Sequence, residues 1–194
     1  MQMDRNYGQP NMDKTARRTK MIAALAIMTA VSTVFLVIGT LISVNTVFFT
    51  AAASFLVGIA VVKYGFGAGL MLFMGSAVLD LILNPDKFHV ILYLAMGGFI
   101  LVAEGSYKLL EKHIMNLMTR NLVHLVIRIA VFFLGYMPIV LFFPRLFLTA
   151  ETWTYLAKFA WLRFALPGVG VIAFVIFDLA YLFVKKAYLH IFRI

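Results

Sequence analysis

The longest uninterrupted apolar stretch of the chain covers residues 21–62 and contains no charged side chain. As one helix it would measure about 63 Å, twice the thickness of the hydrocarbon core of a bilayer. The stretch therefore predicts two membrane-spanning helices. The weakest helical segment is residues 39–46, where Ser43, Asn45 and Thr46 favour a tight turn.

Further apolar runs follow, separated by turn signals at residues 63–65 and 85–87 and by a polar link at residues 110–121. The predicted spans are residues 21–43, 46–62, 66–84, 88–109, 122–143 and 165–184. Residues 144–164 mix aromatic and charged side chains, which is typical of a helix lying at the membrane interface. We predict an all-α membrane protein, in which residues 21–194 form one domain. This domain is a bundle of six transmembrane helices with an interfacial segment between helices five and six. Residues 1–20 form a cytoplasmic tail, mobile over residues 1–16.

Composition supports a membrane protein, since hydrophobic residues make up 63% of the chain and charged residues 13%. The net charge of +9 comes from basic residues that flank the apolar runs. Membrane topology and anionic lipid headgroups explain this charge better than nucleic acid does. The chain has no cysteine, which excludes disulfides and thiolate chemistry.

An even number of spans puts both ends of the chain on one side of the membrane. That side collects twelve basic residues, whereas four lie on the other side and Arg128 lies within span five. Because basic loops stay inside, both termini are predicted to be cytoplasmic.

Three charged residues, Glu104, Arg128 and Asp178, fall near the cytoplasmic third of their spans. Charges are expensive inside a bilayer, so we expect them to form a buried charge cluster. The cluster is either a proton relay or coupling element, or it is structural: an ion pair that fixes helix register, or side chains that snorkel to the nearby surface. We favour the structural interpretation. Glu104 also stands four residues before Lys108, a favourable helical pair.

A second set of polar residues collects at the outer ends of the first four spans, with aromatic residues in the segment above. Polar anchors with aromatic walls are typical of a small-molecule site. The predicted ligand-binding residues are Asp80, Asn84, His89, Tyr93, Asn45, Trp153 and Trp161. The alternative is an ordinary interfacial aromatic belt, with Asp80 capping its helix or pairing with Lys87.

No catalytic motif is present. The four histidines are scattered without metal-ligand spacing, and the chain has no nucleophile elbow, phosphate-binding loop or dinucleotide fingerprint. We expect no enzymatic activity, no cofactor and no bound metal. An intramembrane enzyme using Glu104 or Asp178 is a less favoured alternative.

Small residues Ala23, Ala26 and Ala30 share one face of span one, because offsets of three and four coincide on a helix. A small-xxx-small pattern lets another helix approach closely. The approaching helix belongs either to a partner protein or to the same bundle.

The sequence TKMIAALAIMTAVSTVFLVIG, followed by VVKYGFGAGLMLFMGSAVLDLIL, resembles the substrate-binding S components of energy-coupling factor (ECF) vitamin transporters. The resemblance covers residues 20–110. It implies capture of a vitamin or similar nutrient at the outer face of a bacterial inner membrane. It also implies that Ala23, Ala26 and Ala30 dock on a transmembrane coupling subunit, which two ATPase subunits power. S components have a longer link between spans one and two, so here residues 144–164 would have to cover the ligand.

The segment YGFGAGLMLFMGSAVLDLIL is also similar to the rod-shape-determining membrane scaffold of the cell-wall elongation machinery. That resemblance implies the same overall fold and a non-catalytic structural role. The Arg-Pro-Asp sequence usual in that scaffold is absent, so the scaffold is the less favoured interpretation.

Overall fold

The computed structural model describes residues 9–42, 46–84, 87–113, 116–142 and 162–192. Regular structure in these segments is entirely α-helical. The helices are α1 Gln9–Leu41, α2 Thr46–Tyr64, α3 Phe66–Leu83, α4 Lys87–His113, α5 Leu117–Phe142 and α6 Leu162–Phe192. Within these described segments the prediction of an all-α fold is confirmed, and they contain six helices.

Helix α1 differs most from the prediction, because it begins at Gln9. The segment expected to be a mobile tail is therefore helical from that residue onward. Pro10 stands in the first turn, where its missing N–H is tolerated, and no further proline or glycine interrupts the sequence before the apolar run. The predicted interfacial segment, residues 144–164, lies outside the described residues except for the start of α6.

Five helical segments are long and apolar enough to cross a bilayer. They are Lys14–Leu41, Thr46–Tyr64, Phe66–Leu83, His89–His113 and Leu117–Gly135. Helix α6 is not among them, and it carries Asp178, Lys185 and Lys186. By length and composition, the described part of the chain is that of a multi-pass membrane protein.

Helix α2 lies at the centre and contacts α1, α3, α4 and α6. It presents small buried residues to these neighbours, among them Ala53, Ser54 and Gly58. A methyl group at Gly58 would stand 2.3 Å from the Tyr181 hydroxyl of α6, so the glycine permits this crossing. Small residues allow close backbone approach, which supplies the van der Waals contact that holds helices together in lipid.

Two hydrophobic clusters fill the spaces around α2. The larger cluster contains residues of α1, α2, α3 and α4, among them Leu36, Val57, Leu72 and Tyr93. The smaller joins α4 and α6, is centred on Ile100 and Tyr181, and is bordered by aromatic rings. In these contacts the rings of Phe132 and Phe174 stack at 3.9 Å, those of Phe99 and Phe174 meet edge to face at 4.9 Å, and those of Phe55 and Phe177 stack at 5.3 Å.

The turn between α2 and α3 rests on one residue, Gly65, with φ of 102°. This left-handed backbone favours glycine because no Cβ is present to clash. The predicted break at residues 63–65 follows from this requirement. The C-terminal ends of α1 and α3 and the N-terminal ends of α2 and α4 meet at one end of the bundle.

Candidate functional site

Polar side chains from four helices meet where α1 and α3 end and α2 and α4 begin. We call this set the four-helix polar cluster, and it consists of Thr40, Thr50, Asp80, Asn84 and His89. Apart from Thr40, which is half-buried, its members are buried. Buried polar groups in an apolar bundle are costly unless they hydrogen-bond to one another.

Asp80 is 0% exposed and connects α3 to α1 through Asn84. The Asn84 amide, one turn further along the chain, donates to Asp80 Oδ1. Asn84 Oδ1 lies 2.6 Å from the Thr40 hydroxyl of α1. The Asn84 backbone N–H donates to the Asp80 carbonyl at 2.9 Å, which closes the last turn of α3. One i, i+4 pair therefore ends a helix and joins it to its neighbour.

His89 connects α4 to α2 and α3. Its Nδ1 lies 3.5 Å from Asp80 Oδ2, and its Nε2 lies 3.1 Å from the Thr50 hydroxyl. A methyl group at Gly39 of α1 would stand 3.2 Å from Nε2. The absence of a side chain at Gly39 thus gives the imidazole the space it occupies.

Three buried polar atoms in this region make no hydrogen bond within the described residues: Asp80 Oδ2, His89 Nδ1 and Tyr93 Oη. The first two face each other across the α3–α4 contact. Tyr93 lies one turn after His89 on α4 and is fully buried. An unsatisfied buried polar group costs about 1–3 kcal/mol. A polar solute or water that reached these atoms would therefore be bound favourably.

The structure brings four of the predicted ligand-binding residues to one region: Asp80, Asn84, His89 and Tyr93. The other three, Asn45, Trp153 and Trp161, lie outside the described residues, as does the side chain of Lys87. Sequence analysis missed Thr40. Its signal was helical spacing, since Thr33, Leu36 and Thr40 share the inward face of α1.

Thr50, His89 and Asp80 stand in the order of a hydroxyl nucleophile, its base and an orienting acid. The Thr50 hydroxyl, however, donates to the Thr46 carbonyl one turn back at 2.8 Å. A hydroxyl has one proton, so this bond leaves Thr50 as an acceptor toward His89 and does not activate it for attack. The arrangement suits hydrogen bonding rather than nucleophilic chemistry.

A separate group of charges lies nearer the opposite end of the bundle, between α4, α5 and α6. The Glu104 carboxylate accepts from Lys185 Nζ at 2.7 and 2.9 Å and from the Tyr181 hydroxyl at 2.8 Å. Arg128 of α5 pairs with Asp178 of α6. Glu104, Arg128 and Asp178, predicted as one cluster, thus belong to two ion pairs that both involve α6.

Lys185 and Tyr181 were not predicted to meet Glu104. Spacing carried the signal, because Asp178, Tyr181 and Lys185 follow at offsets of three and four and so share one face of α6. The expected partner Lys108 instead donates to the carbonyls of Val61 and Val62 at the end of α2. A cation at a helix C-terminus satisfies carbonyls that lack an intrahelical partner.

Ala23, Ala26 and Ala30 are exposed on α1. Ile22 and Ile27 beside them are 63% and 66% exposed. None of the described helices covers this face. Of the two predicted uses of the alanines, packing against another described helix of the same bundle is therefore not observed.

Comparison with family models, with curated proteins and with solved structures finds no match to this chain.

Proposed function

We propose that this protein captures a small polar solute at the four-helix polar cluster, as the S components that it resembles do. The observation that carries the proposal is a set of buried polar atoms that make no hydrogen bond within the described residues, Asp80 Oδ2, His89 Nδ1 and Tyr93 Oη, at one end of the bundle. A few convergent polar groups in apolar surroundings are the usual form of a small-molecule site.

The chemistry of the cluster favours a solute that carries N–H donors or a positive charge. Asp80 is its only carboxylate, and no Lys or Arg side chain among the described residues pairs with it. The hydroxyls of Thr40 and Thr50 and the amide of Asn84 supply further hydrogen bonds. In the ligand-free chain these groups bond to one another, so the solute has to replace some of these bonds when it binds.

The distribution of basic residues supports an outward orientation of this end of the bundle. Arg17, Arg18 and Lys20 precede the apolar part of α1, and Asp80 lies near the opposite end of the helices. With six transmembrane helices and positive loops inside, both termini are cytoplasmic and the cluster faces outward. A nutrient present outside a bacterial inner membrane would meet it directly.

Import then requires a separate energy source, because the sequence has no nucleotide-binding motif. The exposed face of Ala23, Ala26 and Ala30 supports docking of a transmembrane coupling subunit and, through it, two ATPase subunits. Close helix approach at such a face depends on the absence of bulky side chains. Ala26→Trp is expected to abolish pull-down of the coupling subunit and transport, with solute binding retained.

A non-catalytic membrane scaffold is the second candidate. It is favoured by the ion pairs of α6 with Glu104 and Arg128, since these interactions fix helix packing without requiring a ligand. Such a protein would use the polar cluster for packing alone.

A thermal-shift screen separates the two functions. The purified protein is heated with each of a panel of vitamins and related cationic or amide-bearing nutrients. A ligand at 100 times its Kd stabilises a one-site protein by about 2.7 kcal/mol. We expect at least one compound to raise the unfolding midpoint of the wild type and of Glu111→Gln, a surface control, but not that of Asp80→Asn. No stabilisation by any compound, or equal stabilisation of all three proteins, would favour the scaffold.

A further inference from the structure

We infer that Asp80 and His89 hold one proton between them and so form a buried proton-binding site at the contact of α3 and α4. The two side chains face each other with Nδ1 of His89 and Oδ2 of Asp80 at 3.5 Å. His89 is 4% exposed and Asp80 is 0% exposed, so both residues are buried. This inference does not depend on the solute proposed above, since it concerns the ligand-free chain.

The hydrogen bonds of Thr50 determine which imidazole nitrogen carries a proton. Thr50 donates its hydroxyl proton to the Thr46 carbonyl at 2.8 Å. It can therefore only accept from His89, whose Nε2 lies 3.1 Å away. Nε2 must then be the protonated nitrogen of the ring, and Nδ1 is left to face Asp80.

With Nε2 protonated, the number of further protons on the pair follows from charge. If the pair holds no further proton, the lone pair of Nδ1 faces an ionised carboxylate, and a net negative charge is buried without a cation. If the pair holds two further protons, it carries a net positive charge without an anion. One proton, on either Oδ2 or Nδ1, leaves the pair neutral and places a donor between two acceptors.

The groups around the pair do not change this result. Helices α1 and α2 contribute the hydroxyls of Thr40 and Thr50, α3 contributes the amide of Asn84, and α4 contributes the Tyr93 phenol. None of these is a cation, and no Lys or Arg side chain among the described residues pairs with Asp80. Lys87, at the start of α4, has a side chain outside the described residues and is tested below.

The proton has a mechanical consequence. While it is present, α3 and α4 attract each other at this end of the bundle. If it leaves, two acceptors oppose each other at the same contact, and the closed arrangement of the four-helix polar cluster is weakened. Binding and release of one proton would thus control how readily these helix ends separate.

Nuclear magnetic resonance can count the proton directly in the full chain. The protein is labelled with ¹⁵N in histidine and ¹³C in aspartate and reconstituted in lipid nanodiscs at neutral pH without added solute. The two ¹⁵N shifts of His89 and the carboxyl shift of Asp80 report the state of each group. The His89 signals are assigned by removing His113, His124 and His190 one at a time, and the Asp80 signal by Asp80→Asn or, should that variant not fold, Asp80→Glu.

Two results support the inference: a protonated Asp80 beside a neutral imidazole with its hydrogen on Nε2, or an ionised Asp80 beside an imidazolium. A neutral imidazole beside an ionised Asp80 would overturn it, as would a protonated Asp80 beside an imidazolium. The same spectra of Lys87→Gln complete the test. The proton count is expected to stay at one in this variant, and a change would show that Lys87 supplies the balancing charge instead.

Discussion

Because Gly58 has no side chain, α2 can approach Tyr181 of α6 closely. A Cβ there would stand 2.3 to 2.7 Å from the Tyr181 ring and hydroxyl. Gly58→Ala should therefore displace Tyr181 and weaken its bond to Glu104, lowering the free energy of unfolding by about 1–3 kcal/mol. Gly135→Ala in α5 is the matched control, because a Cβ there meets nothing within 4 Å. Thermal unfolding in detergent measures both, and equal midpoints would contradict this packing.

The Glu104–Lys185 pair predicts an asymmetry between its two partners. The Lys185 side chain is 23% exposed and that of Glu104 is 5% exposed. Lys185→Met leaves a buried carboxylate without its cation, a change that costs about 3–5 kcal/mol. Glu104→Gln leaves a lysine that can reach water, so its cost should be smaller. The double variant should regain stability relative to Lys185→Met, and chemical unfolding of all three proteins tests the order.

Residues of the four-helix polar cluster could be predicted where they flank a helix break that the sequence marks. Asp80, Asn84 and His89 surround residues 85–87, so their shared depth could be read from the sequence. Helical spacing assigns Thr40 and Lys185 to helix faces, but it does not give the partners of these two side chains. Each pairing depends on which face of a helix meets which neighbour, and that is decided by packing between residues as far apart as 81 positions.

The starts of α2 and α3 were predictable because they coincide with turn chemistry, whereas α5 and α6 begin before the predicted residues 122 and 165, and α6 extends past the predicted residue 184. In the sequence, Gly65 and the proline at 85 interrupt helices even though apolar runs lie on both sides. Helices α2 and α3 begin at the predicted residues. The start of α1 was not predictable in this way. A polar sequence without breakers extends a helix that is already fixed by its apolar part, since adding residues is easier than nucleation.

Helix α1 has two faces, and substitution with tryptophan should distinguish them. Ala26 is exposed on α1, whereas Ala53 of α2 is fully buried opposite α1. Ala26→Trp should elute as a single species with a wild-type unfolding midpoint, because no described helix lies against it. Ala53→Trp should fail to fold, because a close-packed interior has no room for the indole. Size-exclusion chromatography and thermal unfolding give the answer, and equal damage by both would mean that the Ala26 face is covered.

At the scale of the whole molecule, the orientation rests on the distribution of basic residues. Single cysteines suit this test because the chain has none. Cysteine at positions 63, 112 or 186 should react with a membrane-impermeant reagent only after the cells are opened. Cysteine at positions 87 or 158 should react in intact cells. Labelling of position 112 from outside would reverse the topology and turn the polar cluster to the cytoplasm.

Capture of a solute at the polar cluster is tested most directly by native mass spectrometry of protein released from its own membranes. Wild type, Asp80→Asn and Glu104→Gln are compared, since both variants neutralise a buried carboxylate but at different ends of the bundle. We expect a bound small molecule on the wild type and on Glu104→Gln, and its loss from Asp80→Asn. The same bound mass on all three, or none on any of them after growth in rich medium, would contradict a solute site at Asp80.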